Sequence, residues 1–175
     1  MAGTANGTAE EPERVAELVR GAQRGDALAM DELLSVLTPR VARVCGPIAL
    51  EDGPDAAQEA LIAIFRNIGQ LKSPEALFGW ARAIAAREAL RYAKRRSRVV
   101  VAEIADRAAE GVDVELSADI EDVLGRLTPE HRLVLAMRHV EGLDEQEVSE
   151  ALRIPVGTVR SRLFRAREAF RKAWA

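Results

Sequence analysis

The residues best suited to chemistry lie near the C-terminus, where arginines, a serine and a phenylalanine share one side of a short segment. Apolar residues recur in this segment at spacings of four, three and four, the stripe of an amphipathic helix, at Val159, Leu163, Ala166 and Phe170. The opposite side carries Arg160, Ser161, Phe164 and Arg165. Guanidinium groups bind guanine edges and phosphates, and an apolar group contacts a thymine methyl. A merely solvated basic face would account for the arginines but not for the phenylalanine. The pattern therefore favours a helix that enters a DNA groove.

The elements before this helix complete a two-helix motif. Asp144 is a helix N-cap residue, and Glu147 stands three positions later as its capping-box partner. A two-residue turn from Arg153 leads to Pro155, which a first helical turn tolerates. Two short helices joined in this way are typical of a helix-turn-helix, whose second helix lies in the major groove. Another helix is expected before them, between Thr128 and Gly142, with buried residues at Leu133, Val134, Met137 and Val140.

Three segments of this region are recognisable: Leu127–Arg132, Val140–Leu143 and Ile154–Arg162. Together they closely resemble the C-terminal DNA-binding domain of bacterial RNA polymerase sigma factors, most nearly the small extracytoplasmic-function group. The resemblance implies that this domain is sigma region 4, which reads the promoter −35 element. It implies −35 contacts by Arg160, Ser161, Phe164, Arg165 and Arg167.

The composition fits a small helical protein. The chain has 175 residues, of which 48% are apolar and only 4% aromatic, and residues that favour helices dominate, so we expect an all-α chain. No apolar run approaches the roughly 18 residues of a membrane span, and the polar N-terminus lacks a signal-peptide pattern. We therefore expect a cytoplasmic protein without membrane insertion. Cys45 is the only cysteine, and the two histidines, His131 and His139, are expected to be structural, so neither a metal nor a cofactor is predicted.

The net charge of −3 conceals two basic clusters. Residues 82–98 contain seven arginines and lysines against one acidic residue, and residues 153–175 contain the same numbers, so each segment carries +6. Residues 99–122 contain eight acidic residues against one arginine, a net −7. Basic clusters are the electrostatic signature of nucleic-acid contact. The distribution predicts two small helical domains, joined by an acidic flexible linker and preceded by a disordered tail. Their boundaries are 1–12 for the tail, 13–98 for the first domain, 99–118 for the linker and 119–175 for the second domain.

The N-terminal half reads as several short helices. They are expected at Glu13–Arg24, at Asp26–Leu37, at Arg40–Ile48 after an interruption by Pro39, and at Asp55–Ile68. The last helix has a core side at Ala57, Leu61, Ile64, Phe65 and Ile68, and an opposite side at Asp55, Gln58, Glu59, Ile62 and Arg66. An aliphatic residue in the centre of a polar face suits a protein contact. In sigma factors the pattern Asp-x-x-Gln-Glu marks the helix that docks on the clamp coiled-coil of core polymerase. Here Pro54 replaces the acidic residue that usually precedes it.

The resemblance also assigns the first basic cluster. In sigma region 2 the loop after the docking helix takes up a base flipped from the −10 element, and the next helix lines the melted strand. The matching residues are Lys72, Ser73, Arg87, Arg91, Lys94, Arg95 and Arg96. The family usually has asparagine and aspartate where this chain has Arg87 and Arg91, so its −10 preference does not carry over. A more basic surface should depend more on phosphates and on salt.

The sequence is thus interpreted as an all-α, two-domain sigma factor with no catalytic site. The resemblance implies core RNA polymerase (through its clamp coiled-coil and flap) and promoter DNA as partners, and an anti-sigma factor as a regulator. One alternative is a stand-alone transcription regulator with a helix-turn-helix, although such a protein needs neither the Asp55–Ile68 helix nor the basic cluster at residues 82–98. Another is a regulatory enzyme with a helical catalytic domain, which no phosphate loop, metal cluster or nucleophile–base pair supports.

Overall fold

The computed structural model describes residues 7–106 and 120–175, with side chains from residue 12 to 99 and from 120 onward. The described residues form eight α-helices and contain no strand, which confirms the all-α prediction. The helices are α1 (Gly7–Gln23), α2 (Ala27–Ala49), α3 (Gly53–Asn67), α4 (Leu77–Asp106), α5 (Ile120–Gly125), α6 (Pro129–Leu135), α7 (Glu145–Leu152) and α8 (Val156–Trp174). Single 3₁₀ turns occur at Leu50–Asp52, Ile68–Gln70 and Pro74–Ala76, and a π-helical turn at Ala136–Val140.

The helices α1 to α4 form an N-terminal bundle around α2. The α2 helix packs against α1, α3 and α4, and its stripe of Leu33, Leu37, Val41, Val44 and Ile48 is buried. Gly25, with φ of 85°, makes the tight left-handed turn between α1 and α2 at little cost, because glycine lacks a Cβ. The Asp26 carboxylate then caps α2 by accepting from the backbone N–H groups of Leu28 and Ala29.

The sequence analysis predicted that Pro39 separates two helices, and this prediction is wrong. The α2 helix runs without a break from Ala27 to Ala49, with both Pro39 and Pro47 inside it. A proline removes one helical hydrogen bond and normally ends or kinks a helix. Here buried residues stand on the same face both before and after Pro39, so burial of the stripe outweighs the lost hydrogen bond.

Two other boundaries differ from the expected ones. The α1 helix begins at Gly7, inside the segment predicted to be a disordered tail. The α4 helix continues through Val99 to Asp106, inside the segment predicted to be the linker. Once a helix is nucleated each added residue costs little, and no glycine or proline stands between residues 80 and 110 to end it. The rest of the predicted linker, residues 107–118, lies outside the described residues.

The C-terminal half contains the predicted helix-turn-helix. The capping box is present: the Asp144 carboxylate accepts from the Glu147 backbone N–H at 2.8 Å, and the Glu147 carboxylate accepts from that of Asp144 at 2.7 Å. The helix before it ends in a π-helical turn, which adds a residue per turn and shifts the phase of the side chains. Val140, predicted to be buried, is therefore 41% exposed, and Leu143 is buried beyond it.

The two halves pack against each other. The α6 helix contacts α2 and α4, and α7 contacts α4, so that one continuous set of buried residues runs through both halves. Among the described residues, one stretch, Ala27–Gln70, is long and apolar enough, by length and composition alone, to cross a membrane. The stretch consists of α2, α3 and the 3₁₀ turns that follow each of them, and the two helices pack against each other and against α4, as the core helices of a folded bundle do.

Candidate DNA and polymerase interfaces

The second helix of the helix-turn-helix, α8, presents the predicted DNA-binding side chains. Val159, Leu163 and Ala166 are buried against the rest of the C-terminal half, and this fixes the rotation of the helix. All five residues on the predicted reading face are exposed: Arg160, Ser161, Phe164, Arg165 and Arg167. The Phe164 ring is 63% exposed, in a chain that otherwise buries most of its large apolar residues. An aromatic ring held in solvent beside guanidinium groups suits contact with bases.

The turn before α8 is held by a Schellman motif. Arg153 adopts a left-handed conformation with φ of 54° and ψ of 46°, its N–H donates to Glu150, and the Ile154 N–H donates to Ser149. The Ser149 hydroxyl also donates to the Ile154 carbonyl at 2.6 Å. Across the turn, Arg160 Nε lies 2.7 Å from a Glu145 carboxylate oxygen. The start of α8 is thereby fixed relative to α7.

The α4 helix carries the first basic cluster in two groups. Four of its basic residues share one side of the helix, because they follow one another at spacings of four, three and one: Arg87, Arg91, Lys94 and Arg95. Arg96 lies on another side. Arg91 pairs with Glu88 at 2.6 Å and approaches Glu59 of α3 at 4.0 Å. Arg96 pairs with Glu51 and Asp52. Of the predicted −10 residues on α4, therefore, Arg87 and Arg95 carry no carboxylate partner among the described ion pairs, whereas Lys94 pairs with Glu130 of α6.

Arg87 faces the helix-turn-helix across a groove of about 650 Å³ between α3, α4 and α7. Burial, followed by the positive charge of Arg153, lowers the pKa of the Arg87 guanidinium from its ordinary value. The group stays protonated at physiological pH, because an arginine pKa starts above 12. The same groove is also lined by the carboxylate residues Glu88, Glu147 and Glu150.

The loop between α3 and α4 holds Lys72 and Ser73. Lys72 is exposed, and the Ser73 hydroxyl donates to Glu75, a bond that is the main cause of the lowered pKa of that carboxyl. Gln23 of α1 fixes the loop, since its Nε2 donates to the carbonyls of Ile68 at 3.0 Å and Leu71 at 2.9 Å. No local pattern around Gln23 indicated this role, because its partners stand more than forty positions away.

The α3 helix presents the predicted polymerase-binding face with one correction. Asp55, Gln58 and Arg66 are exposed, and Glu59 and Ile62 are partly buried. Phe65, predicted for the core side, is instead 53% exposed. The small residues Ala56, Ala57 and Ala60 take the buried positions, so the bundle needs no large ring at this point. Phe65 adds an aromatic group to the open face beside Ile62.

A buried arginine is the residue that sequence reasoning missed. Arg132 is only 6% exposed, and its Nε donates to the Ile48 carbonyl of α2 at 2.8 Å. Its Nη1 donates to the carbonyls of Leu124 at 3.1 Å and Leu127 at 3.0 Å. Burial is the main influence on its pKa, which is lowered. Arg132 also lines an apolar cavity of about 1000 Å³ between α2, α5, α6 and α8, whose lining includes His139, Arg167 and Arg171.

Comparison with known proteins identifies the protein family of this chain. Residues 117–170 match the family Sigma-70, region 4. The RNA polymerase sigma-H factor of Pseudomonas aeruginosa is 31% identical over 177 residues, which cover 90% of this chain and 92% of that protein. The ECF RNA polymerase sigma-E factor of Haemophilus influenzae is 32% identical over 170 residues, covering 86% and 90%.

The chain belongs to the extracytoplasmic-function (ECF) sigma factors of the sigma-70 family.

Two solved structures share the fold of this sigma factor. One is CnrH in complex with the cytosolic domain of CnrY, with a TM-score of 0.61 and 19% identity over 91% of this chain and 96% of that one. The other is the sigma factor RpoE in complex with the anti-sigma factor NepR from Bartonella quintana, with a TM-score of 0.58 and 17% identity over 82% and 94%. As a sigma factor, the protein acts in transcription initiation with core RNA polymerase at promoter DNA. This identity rules against the stand-alone regulator.

Proposed function

We propose that this sigma factor uses three separate surfaces to recognise the −35 element, to bind the −10 strand and to dock on core polymerase. The N-terminal half of α8 reads the −35 element through Arg160, Ser161 and Phe164, with Arg165 and Arg167 further along. The basic side of α4, together with Lys72 and Ser73, holds the melted −10 strand, mainly through phosphates. The outer face of α3 docks on core polymerase. The protein has no catalytic activity of its own and works in the cytoplasm, where the polymerase is.

The observation that best supports the division is the open face of α3. Its Asp55, Gln58 and Arg66 surround a partly buried Ile62 and the half-exposed ring of Phe65. An apolar centre within a polar rim is the anatomy of a protein interface, and aromatic residues are enriched among its energetic centres. A regulator that bound DNA alone would have no use for such a face.

Substitutions on α3 test the proposal. Ile62→Asp and Phe65→Asp should each weaken binding to core polymerase by about 1–4 kcal/mol, the usual cost of disrupting a central contact. Leu28→Asp is the matched control, because Leu28 is 83% exposed at the start of α2, outside this face. Affinity is measured by titration of labelled sigma factor with core enzyme, and helicity by circular dichroism. Folded Ile62 and Phe65 variants with the affinity of the control would remove the assignment.

An anti-sigma factor is proposed as the regulator of these surfaces. The support is the fold relative that was solved as a complex with the anti-sigma factor NepR. A candidate regulator should compete with core polymerase for the wild-type protein and lose affinity for the Ile62→Asp variant. A regulator that bound the variant as tightly as wild type and still blocked polymerase would have to act through another surface.

A further inference from the structure

One arginine on the reading face of α8 is paired with a carboxylate of the preceding helix. Arg160 Nε donates to a Glu145 carboxylate oxygen at 2.7 Å, across the turn of the helix-turn-helix. Arg165 and Arg167, further along α8, have no carboxylate partner among the ion pairs of the described residues. Arg160 is therefore distinguished from the other arginines of this face by an acidic neighbour.

Both members of this pair stand on well-fixed backbone. Glu145 is the first residue of α7, directly after Asp144, which caps the helix together with Glu147. Arg160 follows Val159, whose buried side chain helps to fix the rotation of α8. The positions three and four residues from Arg160 along its own helix hold no acidic residue that could compete for it. The placement of the two side chains is thus set by the fold of the helix-turn-helix.

The hydrogen bond to Glu145 leaves the outer end of the guanidinium available. An arginine carries N–H donors on all of its side-chain nitrogens, in one plane. With Nε donating to Glu145, the two terminal nitrogens remain to donate in parallel, as a base edge with two acceptors requires. The side chain of Arg160 is 67% exposed and that of Glu145 is 39% exposed. The pair is therefore open to a DNA ligand.

A carboxylate beside this arginine also restricts what the arginine binds. Phosphate contacts carry no sequence information, whereas contacts to base edges do. An unrestrained arginine can turn towards a phosphate, but a neighbouring carboxylate holds it and repels the DNA backbone. An exposed ion pair of this kind contributes little to the stability of the fold. DNA recognition therefore explains Glu145 better than stability does.

We propose that Glu145 is a positioning residue for −35 recognition, which directs the Arg160 guanidinium towards one base edge and away from the phosphates. The inference rests on the proposed −35 role of Arg160. A side chain that is held in place before DNA arrives loses less conformational entropy on binding. Glu145 thereby strengthens the base preference at the position that Arg160 reads, and it lowers the affinity for DNA of unrelated sequence.

Binding of the holoenzyme to promoter fragments tests this role. Each −35 position is changed to all four base pairs, and the position at which Arg160→Ala removes the preference is the one that Arg160 reads. Glu145→Ala should reduce the preference there about three- to tenfold, the cost of ordering one long side chain, while affinity for unrelated sequences should not fall. A preference that Glu145→Ala leaves intact, or an equal loss for every sequence, would overturn the inference.

Glu150→Ala is the matched control for this experiment. It removes the same charge from an exposed residue near the other end of α7, where the carboxylate accepts from Gln146 of the same helix. We expect this variant to keep the wild-type base preference at every −35 position. The same flattening in Glu150→Ala and Glu145→Ala would mean that any loss of charge from α7 has this effect, and it would refute positioning through Arg160.

Two more variants separate positioning from direct readout. Glu145→Gln should keep more of the preference than Glu145→Ala, because the amide oxygen still accepts from Arg160 Nε, and equal losses would contradict the hydrogen-bonded arrangement. A carboxylate can also accept from the amino group of cytosine. In the Arg160→Ala background, Glu145→Ala should therefore have no further effect on base preference. A further loss there would show that Glu145 reads a base itself, and positioning would be wrong.

The same data distinguish failure of this inference from failure of the proposed function. If Arg160→Ala leaves the base preference unchanged at every position, Arg160 is not a reader, and its −35 role and the positioning by Glu145 are both refuted. If Arg160→Ala removes the preference at one position and Glu145→Ala does not reduce it, the −35 role stands and only the positioning is refuted.

Discussion

Replacing Arg132 by alanine should destabilise the protein more than any other substitution of a charged residue in the described chain. The guanidinium makes three hydrogen bonds, and none goes to a carboxylate. The Ile48 carbonyl lies in the last turn of α2, and those of Leu124 and Leu127 lie at and beyond the end of α5. Carbonyls at helix ends lack partners within the helix and carry negative partial charge, so a buried cation satisfies them well.

The magnitude follows from these contacts. A hydrogen bond from a charged group contributes about 1.5–3 kcal/mol, and leaving a buried carbonyl unsatisfied costs about 1–3 kcal/mol. Water can reach part of the site through the adjoining cavity, and removal of the arginine also removes the cost of burying its charge. We therefore expect Arg132→Ala to lower the free energy of unfolding by about 3 kcal/mol. For a chain of this size that corresponds to a fall in melting temperature of about 6–12 °C.

Urea denaturation followed by circular dichroism measures the loss. Arg126→Ala is the matched control, because Arg126 is exposed and donates one hydrogen bond, to the Ala173 carbonyl at 3.3 Å. It should stay within about 0.5 kcal/mol of wild type. Arg132→Lys should recover only part of the loss, since an ammonium cannot reproduce the planar fork that reaches two helices. A loss below about 1 kcal/mol for Arg132→Ala would show that the three bonds do not stabilise the fold.

Three further predictions concern single residues. Arg160→Ala should weaken binding to the preferred −35 sequence by about 1–3 kcal/mol and relax the base preference at one position. The measurement is binding across a library of −35 variants. A loss of the same size for every sequence would make Arg160 a phosphate contact. Lys94→Ala should reduce the salt slope of holoenzyme binding to promoter DNA by roughly one, and an unchanged slope would exclude a phosphate contact there. Burial raises the pKa of Cys45 from 9.0 to about 12, so its thiol should resist iodoacetamide at pH 8 in the native protein. Above pH 9 the thiol ionises in the unfolded chain but not in the folded one. The contribution of Cys45 to the free energy of unfolding is therefore fully present below pH 9 and should fall by up to about 1.4 kcal/mol per pH unit between pH 9 and 12. The Cys45→Ala variant should lack this slope.

Local signals predicted local structure well. The Asp144–Glu147 capping box and the apolar stripe of α8 each depend on residues within a few positions, and both are present. Errors arose where tertiary packing or an irregular turn overrode the periodicity. Pro39 lies inside a continuous helix because the stripe on both sides of it is buried, and Val140 is exposed because a π-helical turn shifts the phase.

Residues that act across the two halves had no local signal. Glu141 pairs with Arg82 from fifty-nine positions away, and Arg132 reaches Ile48 from eighty-four. In the sequence each is simply a charged residue in an amphipathic helix, where solvation is the usual outcome. The periodicity of α3 could not place Phe65 either, because it counts apolar residues and does not reveal that alanines fill the core side. Such residues are identified only once the fold has brought distant segments together.

The contact between the halves also accounts for a feature of the charge pattern. A chain with two +6 clusters should bind any nucleic acid through counterion release, independent of sequence. Each cation that an internal carboxylate neutralises reduces the number of phosphates the free protein can engage. Glu130, Glu141 and Glu145 neutralise Lys94, Arg82 and Arg160 respectively, so carboxylates of the helix-turn-helix half oppose both clusters. DNA binding by the wild-type protein should therefore depend less steeply on salt than binding by a variant that carries both Glu130→Gln and Glu141→Gln, and equal slopes would mean that these pairs withhold no cation from DNA.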